Sequence, residues 1–272
     1  MQDLSVTLVQ TSLFWEDIEK NLEMFSQKLS ELKDKTDLIV LPEMFNTGFS
    51  MHVNVLAEKM GGRSTQWLSE AAADLNCDML GSLIIRDKEL NYNRLIWMRP
   101  DGSFVHYDKR HLFRMLDEHK SFAAGEDRQI VDINGGRLCP LICYDLRFPV
   151  WSRNRGDYDG LIYIANWPEA RRHAWSSLLV ARAIENQAYV IGVNRVGQDG
   201  NGLTFSGDSA AIDSRGKVFS KIQPYNDGIE TVILSYQDLQ DFREKFQVGL
   251  DADNFKLTPH NLSFTFCWKS IN

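Results

Sequence analysis

Two stretches of this chain are apolar at consecutive positions, Asp37-Leu-Ile-Val-Leu-Pro-Glu43 and Leu161-Ile-Tyr-Ile-Ala-Asn166. A strand with one wet face alternates apolar and polar residues, whereas a strand that is apolar throughout needs cover on both faces. These two are therefore expected in the interior of a layered α/β fold. In such folds the crevice beyond the carboxyl ends of the strands is where sites are built. Pro42 ends the first strand and leaves Glu43 there. Trp167-Pro168 follow the second.

The rest of the chain fits that layered plan. Leu4 to Gln10 is β-rich, and Ile18, Leu22, Phe25, Leu29 and Leu32 recur at helical spacing over Glu16 to Leu32. Met44 to Val55 is a loop, and Ser64 is placed as the N-cap of a helix over Thr65 to Leu75. Met79 to Arg86, Tyr92 to Arg99 and Phe104 to Tyr107 read as strands, with Pro100-Asp-Gly102 as a turn. Residues 115 to 128 read as an irregular loop. Strands follow at Gln129 to Ile133 and Arg137 to Ile142, joined by Asn134-Gly-Gly136. The spacing then predicts a helix over Arg172 to Ala188, strands at Tyr189 to Arg195, Phe205 to Asp213 and Ile229 to Leu234, and a helix over Tyr236 to Phe246. No linker or low-complexity segment interrupts residues 1–272, so one α/β domain is expected.

Leu138-Cys-Pro-Leu-Ile-Cys-Tyr-Asp-Leu-Arg-Phe-Pro-Val-Trp151 brings a buried strand to a sharp turn at Cys143. Backbone N–H groups just past a strand end lack ladder partners and could serve an oxyanion, that of Tyr144 first. A free cysteine is also among the most buried residue types, and Cys139, four positions earlier, reads as a packed core thiol. With Cys77 and Cys267 these are the chain's four cysteines, too few for a disulfide framework and without C-x-x-C metal spacing. A formal net charge of −7 argues against bulk nucleic-acid binding but leaves room for a local basic pocket. No apolar run reaches the length of a bilayer span and no secretory pattern opens the chain, so a cytoplasmic protein is expected.

Glu43, Lys109 and Cys143 all fall at strand ends beside loops and form a chemical set. A cysteine nucleophile must lose a proton, which a carboxylate in a partly dry site can accept. An ammonium nearby would stabilise charge on the substrate oxygen. The trio suits attack on a carbonyl or nitrile carbon, loss of ammonia or an amine, and hydrolysis of the resulting thioester.

Three segments resemble the nitrilase superfamily of carbon–nitrogen hydrolases in content, order and separation: Leu41-Pro-Glu-Met-Phe-Asn-Thr-Gly48, Tyr107-Asp-Lys-Arg-His-Leu-Phe113 and Ile142-Cys-Tyr-Asp-Leu-Arg-Phe148. The resemblance spans the first strand to about Leu234. It implies a four-layer α-β-β-α sandwich, pairing into a homodimer or higher homo-oligomer, and neither metal nor organic cofactor. It also implies a second glutamate that positions the lysine and the departing amine. Glu118 fits that role, with Asp117 as its competitor.

True nitrilases usually carry Trp-Glu after the nucleophile, whereas Tyr144-Asp145 looks like an amidase branch. The longer strings from Pro42, Lys109 and Cys143 are similar to bacterial omega-amidases, which implies a small 2-oxo acid amide as substrate. Such substrates are anionic, and arginine matches a carboxylate bidentately. Arg171 and Arg172 are the expected receptors, although both could simply start an exposed helix. Arg147 is expected to brace the nucleophile turn by pairing with an acidic neighbour. Trp167 and Phe45 could wall the pocket or belong to the core, and Arg182, Glu185 and Asn186 could serve a subunit interface or an intramolecular salt bridge. The alternatives are the same chemistry on another aliphatic amide or an N-carbamoyl compound, or an inactive binding protein on the same fold.

Overall fold

The computed structural model describes residues 2–257, which places Cys267 outside the described residues. The strands are β1 (Leu4–Gln10), β2 (Leu38–Val40), β3 (Asp78–Asp87), β4 (Leu90–Met98), β5 (Phe104–Asp108), β6 (Val131–Ile133), β7 (Gly136–Ile142), β8 (Gly160–Ala165), β9 (Tyr189–Asn194), β10 (Val196–Gln198), β11 (Thr204–Ser206), β12 (Ala210–Ile212) and β13 (Gly228–Leu234). They form a six-stranded sheet in the order β13-β1-β2-β3-β4-β5, a five-stranded sheet in the order β12-β9-β8-β7-β6, and the ribbon β10-β11. Each large sheet has a parallel centre, β1-β2-β3 or β7-β8-β9, flanked by antiparallel strands.

Side-chain alternation assigns the layers. Leu4, Val6 and Leu8 of β1, Leu38 and Val40 of β2, and Leu95 and Trp97 of β4 face the second sheet and pack into one core with Leu138, Leu141, Leu161 and Ile162. The opposite face of the first sheet offers Val9, Ile39, Met79 and Ile96 to the helices Ile18–Leu29 and Arg63–Leu75, through Leu22, Phe25, Leu68 and Ala72. Trp175, Leu179 and Ala183 of the helix Arg172–Asn186 cover the second sheet. Each of the Val, Leu, Ile, Met and Phe side chains among these contributes roughly 1.5–3 kcal/mol by burial. The result is the expected α-β-β-α sandwich.

Three local expectations are corrected. Ser64 is not the N-cap: the helix starts at Arg63 with Gly62 as cap, and the Ser64 hydroxyl accepts from Asn46 Nδ2 at 2.9 Å. The segment 115–128 is not wholly irregular, since it holds a 3-10 turn over Arg114–Leu116 and a one-turn helix, Glu118–Ser121. Phe205 to Asp213 is not one strand. Gly207 and Asp208 adopt positive φ and break it, sending β11 to the ribbon and β12 to the second sheet. A Cβ on Gly207 would lie 2.2 Å from Gln10 Oε1, the atom that accepts the Ser209 N–H, so only glycine fits.

Candidate active site

The carboxyl ends of β2, β5, β7 and β8 meet at one place. After β2 the chain runs through Leu41 and Pro42 to Glu43 and then turns sharply. Met44 takes φ 44°, its N–H donates to Ser82 Oγ at 2.9 Å, and its carbonyl accepts from Thr47 and Gly48. That turn aims the Glu43 carboxylate inward. Oε1 accepts from Lys109 Nζ at 2.9 Å and Asn93 Nδ2 at 2.8 Å, and Oε2 accepts from the Asn166 N–H at 2.8 Å. The Asn166 amide also donates to the Glu43 carbonyl, so the end of β8 clamps the residue after β2 twice.

Lys109 follows β5 directly. Its N–H donates to the Asn93 carbonyl, and its own carbonyl accepts from the Gly125 N–H. Gly125 lies so close that a Cβ there would sit 2.1 Å from the Asp108 carbonyl oxygen. The ammonium donates to both oxygens of Glu118, at 2.9 and 3.0 Å, and the Phe113 N–H reaches Glu118 Oε2 at 2.5 Å. Glu43, Lys109 and Glu118 are 0%, 1% and 0% exposed. Burial favours neutral Lys109, but Glu118, Glu43 and Cys143 outweigh it and raise the ammonium's pKa. Burial and the charge of Glu43 raise the Glu118 carboxyl, against Lys109 and the Phe113 N–H. Asp117, by contrast, is exposed and pairs with Lys120 at 2.9 Å. Glu118 is the acid placed against the lysine.

Cys143 opens the 3-10 turn Cys143–Arg147 at the end of β7, also with φ 44°. The buried Asp145 holds this turn to its strand. It accepts from the Ile142 N–H at 3.0 Å, Tyr107 Oη at 2.8 Å and the His111 N–H at 3.0 Å. Arg182 donates to the Leu146 carbonyl at 2.5 Å and pairs with Glu185 at 2.9 Å, so these charges are engaged within the chain. Burial raises the Cys143 thiol well above its ordinary pKa, Glu43 and Glu118 add to this, and Lys109 opposes them. At neutral pH the resting sulfur is therefore a thiol rather than a standing thiolate.

One cavity is lined by Cys143, Lys109 and Asn166 together with Phe49, Phe113, Tyr144, Trp167, Arg147 and Arg171. Of the expected binding residues, Tyr144, Trp167 and Arg171 line it. Arg172 does not: it is held by Asp208 at 2.6 Å and by Tyr225 Oη at 2.9 Å. Phe45 does not either, being wholly buried against Phe25 and Trp67 in the outer core, while Phe49 takes the wall and lies 5.0 Å from Lys109 Nζ. Arg147 pairs with no acid among the described residues; its guanidinium lies 4.9 Å over the Trp167 ring. Among the described residues no group of three or more His, Cys, Asp or Glu side chains could hold a metal ion. Nor is any described helix long and apolar enough to cross a membrane.

Sequence reasoning missed Asn93, Asn166, Asp145 and His111 as supports of the site. Asn166 carried a signal, since it ends an apolar strand as Glu43 does. Asn93 lies within β4 and carried none.

A lone thiol at a strand-to-turn junction, faced by a buried carboxylate–ammonium cluster on an α-β-β-α sandwich, defines the class of cysteine hydrolases. The family model for carbon-nitrogen hydrolase matches residues 5–244, and the chain belongs to that family. It is 44% identical over 257 residues to an omega-amidase of Escherichia coli, a match that covers 94% of this chain and 100% of the relative. A 2-oxoglutaramate amidase of Bacillus subtilis is 33% identical, over 84% of this chain and 88% of its own. The crystal structure of a carbon–nitrogen hydrolase superfamily protein from Xanthomonas campestris, with an arsenic adduct in its active site, superposes with a TM-score of 0.93 at 43% identity, covering 95% of this chain and 100% of the other. The protein is a hydrolase of carbon–nitrogen bonds of the amidase kind.

Proposed function

We propose that this enzyme hydrolyses the distal amide of small 2-oxo acid amides, 2-oxoglutaramate or 2-oxosuccinamate, to the 2-oxo dicarboxylate and ammonia. The observation that carries the reading is the cavity in which the Cys143 thiol and the Lys109 ammonium meet Arg171, an arginine with no ion pair among the described residues. Relatives named omega-amidase and 2-oxoglutaramate amidase, at 44% and 33% identity, support it.

In this mechanism the Cys143 sulfur attacks the amide carbon while its proton passes to Glu43. The carbonyl π bond opens to an oxyanion, which Lys109 and the Tyr144 N–H stabilise. Tyr144 lies in the first turn of a 3-10 segment, where amides lack intrahelical partners. Collapse breaks the C–N bond, Glu43 returns the proton to the leaving nitrogen, and ammonia departs from a thioester. Water then adds to the thioester carbon and gives its proton to Glu43. The C–S bond breaks, and protonation of the sulfur regenerates the thiol. Glu118 positions Lys109 throughout.

A cytoplasmic homodimer is part of the same reading, and light scattering on the purified chain tests the pairing. The decisive experiment for function is a substrate panel. 2-Oxoglutaramate should exceed simple aliphatic amides and N-carbamoyl amino acids in kcat/KM, and Cys143→Ala should abolish its ammonia release. A better N-carbamoyl or simple amide substrate would reject the 2-oxo reading.

A further inference from the structure

Arg94, Arg128, Arg172, Arg182 and Arg243 are tied to carboxylates, and Arg86, Arg110, Arg153 and Arg195 donate to backbone or amide oxygens. Two arginines at the cavity, one exposed and one half-buried, do neither. Arg147 and Arg171 make neither an ion pair nor a side-chain hydrogen bond among the described residues, and both line the cavity that holds Cys143. Each is held by an aromatic face instead, Arg147 at 4.9 Å over Trp167 and Arg171 at 5.2 Å over Phe113. An aromatic ring takes the flat side of a guanidinium and leaves the donors along its edge unused. Asp199 is the one carboxylate among the described residues lining the cavity, and its Oδ1 accepts from the Asn201 and Leu203 N–H groups of its own turn. In a chain of net charge −7, this cleft gathers two cations that no anion among the described residues answers.

Arg147 is also placed by the nucleophile's own turn. Cys143 opens the 3-10 segment that Arg147 closes. At roughly 2 Å of rise per residue their Cα atoms stand about 8 Å apart. A short acyl chain of four or five carbons suits that spacing. It would reach from the sulfur to a carboxylate received by a guanidinium fork.

We infer that Arg147 is the principal specificity residue for a terminal carboxylate on the acyl part of the substrate, with Arg171 as the second donor and Trp167 holding Arg147 in place. This rests on the amidase reading of Cys143 but not on the 2-oxo group. The acid-pairing role expected from the sequence leaves Arg147 no part in recognition; its position in the cavity supplies one.

The test compares wild type, Arg147→Gln, Arg147→Lys and Arg171→Gln on glutaramate, 2-oxoglutaramate and pentanamide, a neutral amide of the same carbon number, with glutarate as a competitive inhibitor. Arg147→Gln should lower kcat/KM for the two anionic amides and weaken glutarate by about 100-fold, with pentanamide changed by less than about threefold. Arg147→Lys, which keeps the charge without the fork, should fall between, and Arg171→Gln should cost about tenfold. An unchanged glutarate affinity, or an equal loss on anionic and neutral amides, overturns the inference. If glutaramate surpasses 2-oxoglutaramate and the preference over pentanamide vanishes in Arg147→Gln, the 2-oxo reading fails and Arg147 stands. If 2-oxoglutaramate is the best substrate and Arg147→Gln retains it, the reverse holds. A wild type that takes none of the three amides removes both.

Discussion

The two strand ends that build the site have the same backbone and opposite surroundings. Beyond β2 and at the end of β7 the chain enters the left-handed region at a residue other than glycine, Met44 and Cys143, both at φ 44°. Each such residue costs on the order of 1–3 kcal/mol and persists only where its neighbours hold it. Before the first break, Glu43 is fully buried with both oxygens hydrogen-bonded. At the second, Cys143 is half-buried and lines the cavity. The difference separates two tasks. One end carries a charge cluster whose members need one another to be buried at all, while the other presents a single sulfur atom to the cavity and rests only partly against the core.

Replacing the presented atom should therefore change chemistry alone. Cys143→Ala should lose at least about 10⁴-fold in kcat, with a thermal midpoint within about 2 °C of wild type. A large drop in that midpoint would show that the thiol is structural after all.

Glu43→Gln probes how the two ends communicate. Hydrolysis should fall by about 10³-fold as the base is removed. The thiol pKa should fall too, because burial and the negative charge of Glu43 raise it while Lys109 lowers it, and only the Glu43 contribution is deleted. Below the wild-type thiol pKa, iodoacetamide should thus label Cys143 faster in the variant than in wild type, although turnover is slower. Slower labelling would reverse the assigned sign.

On the buried side, stability is the readout. Lys109→Met leaves Glu43 and Glu118 facing each other without their cation and should cost about 3–5 kcal/mol in denaturant unfolding. A loss similar to that of Cys143→Ala would erase the contrast between the ends.

The smallest effect concerns the thiol behind the nucleophile. Burial pushes Cys139 up to about 12 from an ordinary 9. A group raised on folding contributes its stability fully below the unfolded pKa and loses it as pH climbs through the folded one. Stability should therefore decline between about pH 9 and pH 12, and Cys139→Ala should flatten that decline in pH-dependent unfolding. An unaltered slope would assign the decline to other groups, such as the buried Tyr163 and Tyr236, which burial also raises.

Much of this arrangement was legible because strand patterning is local. The apolar runs at Leu38 and Leu161 located two central strands, and their ends pointed to Glu43 and to the Asn166 corner. The linked motifs around Glu43, Lys109 and Cys143 indicated the family. Ser64 misled because a serine before an apolar run has the look of a cap, yet Gly62 leads in and Asn46 takes the hydroxyl. The break in Phe205 to Asp213 was hidden for a similar reason: it depends on Gln10, far away in sequence, filling the space beside Gly207.

By itself, the sequence determined the layered α/β class, the residues at the strand ends and the chemistry their types permit, since period and motif are properties of neighbouring positions. The choice of Glu118 over Asp117, of Phe49 over Phe45, and of Arg147 beside Arg171 in place of Arg172 was made only by the tertiary structure. Which way a side chain points beyond a turn is set by partners remote along the chain. Asn166 reaches Glu43 across 123 positions, and Asp208 draws Arg172 away across 36.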